Sequence, residues 1–180
     1  MIPDRGIREM VWPTNDALPT VYVPSDRNLL FFPISESQIQ PVSLDVRLAN
    51  DLIRHPSGEK VRMGELGYSM APGECLLGTL VERFRMGADN VVGQVEGKSS
   101  WARQFLTIHA AGLIDPGFEG DITLEMKNDG HARIQLYPGT SIAQITFTFT
   151  SAPVQRMYGS VGLGSHYQDQ AGPTPSWRQH

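Results

Sequence analysis

Lys98-Ser99-Ser100 and the nearby Arg103 set two hydroxyls between two cations. A helical turn starting there, through Trp101 and Ala102, would add free backbone N–H groups and the positive end of a dipole. The stretch can hold an anion, and an arginine can offer a phosphate two parallel hydrogen bonds. A capped turn without any ligand is the commoner meaning of such a triplet, and both readings stay open. Further on, Asp115 stands in the turn-rich segment Gly112-Leu113-Ile114-Asp115-Pro116-Gly117. Glu125 then falls between Leu124 and Met126 on an alternating segment. Burial beside those apolar neighbours would raise its pKa, as a general base near neutral pH requires. An ordinary exposed glutamate on a strand face is the competing reading.

The elements that must position these groups are short. Eighteen glycines and thirteen prolines in 180 residues punctuate the chain at close intervals and favour many strands and turns over long helices. Asp4 caps a short helix through Ile7, Met10 and Val11, bounded by Pro13. A surface excursion is expected from Thr14 to Arg27. Extended segments are expected at Leu29–Phe32, Ser43–Ala49, Gly73–Phe84, Asn90–Val95 and Ala132–Leu136, with a long last strand to Thr150. Asp51 to Pro72 promises only loops and short strands. In Ser43–Ala49 the alternation puts Leu44, Val46 and Leu48 inward and Ser43, Asp45 and Arg47 outward, with Asp45 and Arg47 suited to a surface or interface ion pair. On Asp121–Lys127 it opposes Ile122, Leu124 and Met126 to Asp121, Thr123, Glu125 and Lys127. The last strand sets Ile145, Phe147 and Phe149 against Gln144, Thr146 and Thr148. Residues 1–157 are expected to form one β domain. The Gly-, Ser-, Gln- and Pro-rich tail 158–180 is expected to be mobile by itself, either frayed or a flap over a site.

Composition excludes several functions. The net charge of −4 provides no basic face for a nucleic-acid backbone, while leaving room for a local patch that binds a nucleotide. The single cysteine, Cys75, allows no intrachain disulfide and no thiolate cluster, and its apolar setting suggests a buried thiol. The five histidines show no paired spacing, and no His-x-Glu precedes a Pro-Cys-x-x-Cys, so the zinc deaminase pattern is absent. There is no P-loop, dinucleotide fingerprint or Gly-x-Ser-x-Gly elbow. No apolar run reaches the roughly 20 residues of a membrane span, and Met1–Pro13 lacks the apolar core of a signal peptide. A cytoplasmic protein without nucleic-acid or membrane partners is expected. An enzyme built from these residues would activate water with a carboxylate.

Several segments, in order, resemble the dCTP deaminases, which group with the trimeric dUTPases. They are Ser43-Leu44-Asp45-Val46-Arg47-Leu48, Val95-Glu96-Gly97-Lys98-Ser99-Ser100 with Arg103, Gly112–Phe118, Ile122-Thr123-Leu124-Glu125, Ile142-Ala143-Gln144, and the tail Gly164–Ser176. The resemblance implies a mostly β, distorted jelly-roll subunit with a short N-terminal helix, assembled as a homotrimer with active sites between subunits. It implies that Glu125 takes a proton from the water that attacks C4 of the cytosine in dCTP, giving dUTP and ammonia. Ser99 and Arg103 would position the base region and stabilise the intermediate, and Ala111 would help hold the water. Lys98, Ser99 and Ser100 would contact the triphosphate, beside Trp101 and Ala102. Asp115 would bind the deoxyribose and Thr123, Leu124 and Glu125 the base. Gln144, Tyr158, His166 and Gln170 would serve the phosphates or the closing flap. Magnesium would accompany the triphosphate, with no zinc, and dTTP is a possible inhibitor.

The chain departs from the family pattern twice. His166 stands where many members have lysine, and a histidine carries little charge at pH 7. The segment from Arg103 to Asp115 is one residue shorter than in the deaminases and nearer in length to the dUTPases, which bears on control by dTTP. Gln144 and Gly172-Pro173-Thr174-Pro175-Ser176 resemble the bifunctional branch, which also cleaves the triphosphate to dUMP and diphosphate. A catalytically weak nucleotide-binding regulator is the alternative from another class.

Overall fold

In a computed structural model, the structure describes residues 1–10, 29–109 and 112–178. The expected excursion at Thr14–Arg27 lies outside the described residues, except that the strand after it is present. Helix α1 spans Asp4–Met10, with Asp4 in its first turn and Arg8 paired to it one turn on. The strands follow as β1 (Leu29–Phe32), β2 (Leu44–His55), β3 (Lys60–Arg62), β4 (Tyr68–Met70), β5 (Cys75–Met86) and β6 (Val91–Gly97). One helical turn, α2 (Ser99–Ala102), separates these from β7 (Leu106–Ile108), β8 (Leu113–Ile114), β9 (Glu119–Asn128), β10 (Ile134–Leu136) and β11 (Ser141–Phe149). None of the described helices is long and apolar enough to cross a membrane.

The strands form a distorted jelly roll, in the order β7-β9-β5-β2-β11-β6-β8, with antiparallel pairing throughout the path. Strand β2 makes the corner. Its first residues, Leu44–Arg47, pair with β11, and from Leu48 to His55 it pairs with β5. Register shifts on both sides of this change mark the bend by which one strand serves two sheets. The core gathers between the two faces around Leu44, Leu48, Phe84 and Phe147, each 0% exposed. Burying each such side chain stabilises the fold by about 1.5–3 kcal/mol relative to exposure.

Four local expectations are corrected. Asp45 and Ser43 are buried rather than outward, and Asp45 pairs with Lys98, not Arg47. Arg47 turns instead to Glu82, a carboxylate with 0% exposure that also receives the Gln38 side-chain amide. A fully buried glutamate needs several donors, and Arg47 supplies two, its backbone N–H and its guanidinium. Phe149 is 59% exposed, because the inward alternation ends at Phe147. Cys75 is only half-buried, at the open start of β5. Between Asp51 and Pro72, β2 runs on to His55 before the short β3 and β4, so the loops begin later than the polar composition suggests.

The tail to Arg178 is packed on the domain. Gln170 lies parallel to Gly120 of β9 in a β-bridge, and the Asp169 N–H donates to the Glu119 carbonyl at 2.8 Å. Polar composition alone suggested mobility. In the structure, backbone pairing to a strand edge, which side-chain patterns do not announce, sets the tail against β9.

Candidate active site

Strand β9 alternates as its sequence requires, with Ile122, Leu124 and Met126 buried and Thr123, Glu125 and Lys127 half-buried. Strand β5 covers one of its edges from Glu119 to Lys127. On the other edge β7 pairs only with Met126–Asn128, and the tail takes Glu119–Asp121. Between those two covers lies a cavity of about 450 Å³, within the range of small-molecule sites. Glu125 and Thr123 line it, with His109, Asp115, Phe118 and, from the tail, Tyr158, Tyr167, Gln170 and Thr174. More of its wall is apolar than polar, so a few polar groups act against a largely apolar lining.

Burial pushes the Glu125 carboxyl above the ordinary glutamate value, against the opposing pull of a backbone hydrogen bond and of the nearby His109. His109 is fixed there by its backbone N–H, which donates to the Glu125 carbonyl at 2.8 Å. The shift makes the carboxylate a stronger proton acceptor than an exposed glutamate. Asp115 enters from the turn before β9, where the Phe118 N–H closes on the Asp115 carbonyl at 3.1 Å. Gly117 in that turn has φ +95°, and a Cβ there would lie 2.6 Å from the Tyr158 carbonyl oxygen. Only glycine lets the tail start so close, and the Tyr158 N–H bonds the Pro116 carbonyl at 2.7 Å. The Phe118 and Tyr158 rings then meet edge to face at 5.8 Å, and the Tyr158 hydroxyl accepts from the Tyr167 N–H at 3.0 Å.

The cationic stretch occupies a different place. Among the described residues, Lys98, Ser99, Ser100, Trp101, Ala102, Arg103 and Gln144 do not line the cavity. The turn α2 forms as expected and is anchored by the Trp101 indole N–H, which donates to the Ser141 carbonyl at 2.8 Å. Ser99, Ser100 and Arg103 are exposed. Lys98 reaches Asp45, whose strand neighbour Gln144 accepts from the Ser43 hydroxyl at 3.4 Å. Thus most candidate residues fall into two groups: the cavity holds Asp115, Thr123, Leu124, Glu125, Tyr158 and Gln170, and the turn gathers Lys98, Ser99, Ser100, Trp101, Ala102 and Arg103, with Gln144 beside the Lys98 partner Asp45. His166 belongs to neither, because its ring stacks on Trp177 at 3.8 Å. Ala111 lies outside the described residues.

Among the lining residues that were not candidates are His55, His109 and Tyr167. His109 sits in the segment between Arg103 and Asp115, whose expected shortening drew attention to the loop but assigned no role to this side chain. His55 closes β2, and no spacing in the sequence points to it. No group of three or more His, Cys, Asp or Glu side chains among the described residues is arranged to hold a metal ion.

The fold is shared with nucleotide enzymes. The dCTP deaminase of Agrobacterium tumefaciens superposes with a TM-score of 0.58 at 20% identity, over 66% of this chain and 42% of that one. This chain therefore spans less than half of that structure's length. A mutant dUTPase from phage phi11 of Staphylococcus aureus, described as coordinating a structural Mg(II) ion, gives 0.52 at 14% identity, over 75% and 99% of the two chains. These likenesses establish a dUTPase-like jelly roll. Sequence goes further: residues 24–150 match the dCTP deaminase-like family. The dCTP deaminase of Natronomonas pharaonis is 40% identical over 78% of this chain and 81% of its own length. The "dCTP deaminase, dUMP-forming" of Corynebacterium jeikeium is also 40% identical, over 80% and 85%. The chain belongs to the dCTP deaminase-like family.

Proposed function

We propose that the protein hydrolyses dCTP to dUTP and ammonia, with Glu125 as the general base. The observation that carries this reading is a half-buried carboxylate, raised in pKa by burial, in a cavity of the family's fold. Glu125 takes a proton from water as the water oxygen bonds to C4 of the cytosine, and the protonated carboxyl passes that proton to N3. The C4–N4 bond then breaks, the remaining hydroxyl proton passes through Glu125 to the departing nitrogen, and ammonia and the uracil carbonyl result. Thr123 and Leu124 hold the base edge, Asp115 the deoxyribose, and Tyr158 and Gln170 the closing tail.

Lys98, Ser99, Ser100 and Arg103 complete the site from a neighbouring subunit of a homotrimer. Support for this is the exposure of Ser99, Ser100 and Arg103 on a turn away from their own chain's cavity, with Arg103 in no carboxylate pair among the described residues. A cation beside the developing charge on the ring would lower the barrier. Magnesium arrives as the counter-ion of the substrate's triphosphate, since no described cluster of protein ligands fits it. A cytoplasmic location suits a nucleotide-supply enzyme.

Incubation with dCTP and magnesium is expected to release one ammonia per dUTP formed. Nucleotide bound tightly in calorimetry with no ammonia released would replace this reading with a binding regulator. The names of relatives such as that of C. jeikeium favour one further reading, in which the triphosphate is also hydrolysed. Chromatography of the products decides it: dUMP with diphosphate supports the bifunctional form, and dUTP accumulating without diphosphate excludes it.

A further inference from the structure

Asp121 is engaged at four polar groups. Its backbone N–H donates to the Gln170 carbonyl at 3.0 Å, and its own carbonyl accepts the Gln170 side-chain amide. One carboxylate oxygen accepts the Gly172 N–H at 2.8 Å, and the other accepts the Arg83 guanidinium at 3.3 Å. The same Arg83 nitrogen also donates to the Gln170 carbonyl at 3.3 Å. Arg83 and Asp121 are cross-strand partners on β5 and β9, so the sheet presets their spacing. Neither side chain lines the cavity, yet the tail segment they grip supplies Gln170, Thr174 and Ser176 to its wall. Gly120, at φ +148°, lets the segment approach, because a Cβ there would meet the Gln170 backbone at 3.1 Å.

We propose that Arg83 and Asp121 are positioning residues that latch the tail onto β9 and so preorganise the cavity for substrate capture. This rests on the proposed function for what the cavity receives. A tail already held needs less ordering when substrate binds, so the latch acts on affinity rather than on the chemical step. The neighbouring pair Arg85–Glu119 shares the same two strands, and its side chains make no hydrogen bond to the tail among the described residues, so Arg85→Met serves as the control.

The test compares Arg83→Met, Asp121→Asn and Arg85→Met with the parent protein. Hydrogen exchange is measured without nucleotide, and ammonia release is measured across a range of dCTP concentrations. Arg83→Met and Asp121→Asn are expected to speed exchange in residues 169–174 about tenfold, the scale of one lost charged hydrogen bond, with β5 and β9 unchanged. The same variants should raise KM about tenfold and change kcat by less than about twofold. Arg85→Met should leave both readouts unaltered. Unchanged tail exchange in both variants would overturn the latch. So would acceleration spread equally over β5 and β9, or a fall in kcat at constant KM. Absence of ammonia from the parent protein would overturn the proposed function alone, because exchange without nucleotide decides the latch by itself.

Discussion

The turn at Lys98–Arg103 and the cavity beside Glu125 carry comparable numbers of candidate residues but are built in opposite ways. The turn is local: six consecutive residues, mostly exposed, anchored by the Trp101 indole hydrogen bond and the Lys98–Asp45 pair. The cavity draws on β2, β5, β9, the loop after β7 and the tail, and it places a carboxylate among apolar side chains. The Arg103 charge in the first is exposed to water, whereas the Glu125 charge in the second is penalised by burial and ready to take up a proton. Each region lacks what the other has. A reaction that needs both an activated water and a bound polyanion must bring them together, and one chain leaves them apart.

Substitutions can break this division at either end. The largest effect is expected in the cavity, where Glu125→Gln should lower kcat for ammonia release by about 10²–10⁴-fold while the fold persists. Arg103→Met, in the exposed turn, should lower kcat by about 10²–10³-fold with an unchanged thermal midpoint, read from parallel kinetics and calorimetry. Lys98→Met sharpens the contrast within the turn itself. It removes the partner of the buried Asp45 carboxylate, so urea unfolding should show a loss of about 2 kcal/mol that Arg103→Met does not share.

The smallest effect concerns pH. A glutamate whose folded pKa is raised binds its proton more tightly in the folded state, so stability falls as pH rises through the interval between the unfolded and folded values. Above that interval ionised Glu125 is a constant penalty. Glu125→Gln should therefore melt a few degrees higher than the parent at pH 7, with the gap closing on acidification below the ordinary glutamate range. Activity should run the other way, rising with pH as Glu125 loses its proton, with a midpoint above that of an exposed glutamate.

The same contrast explains what was legible in the sequence. Alternation on β9 fixed which side Glu125 faces, because side-chain period alone decides that in a half-buried strand. Consecutive residues likewise gave α2. Partner choice was not legible. Asp45 and Arg47 looked like a pair from spacing, yet each reaches across the sheet, to Lys98 and Glu82, because strand order places those groups nearer. The tail's polar composition concealed its packing, since its hold on β9 is largely backbone and needs no apolar pattern. His55 entered the cavity only through the path of β2, and His166 left it through its stack on Trp177.

The central claim, that the cavity of one subunit works with the turn of another, is tested most directly by mixing two inactive variants. Glu125→Gln and Arg103→Met are unfolded together, refolded at equal concentration and assayed for ammonia release from dCTP. In a symmetric assembly with shared sites, about one site in four would pair an intact Glu125 with an intact Arg103. The account predicts recovery of about a quarter of the parent activity. Mixed assemblies that form yet remain as inactive as the separate variants would contradict it.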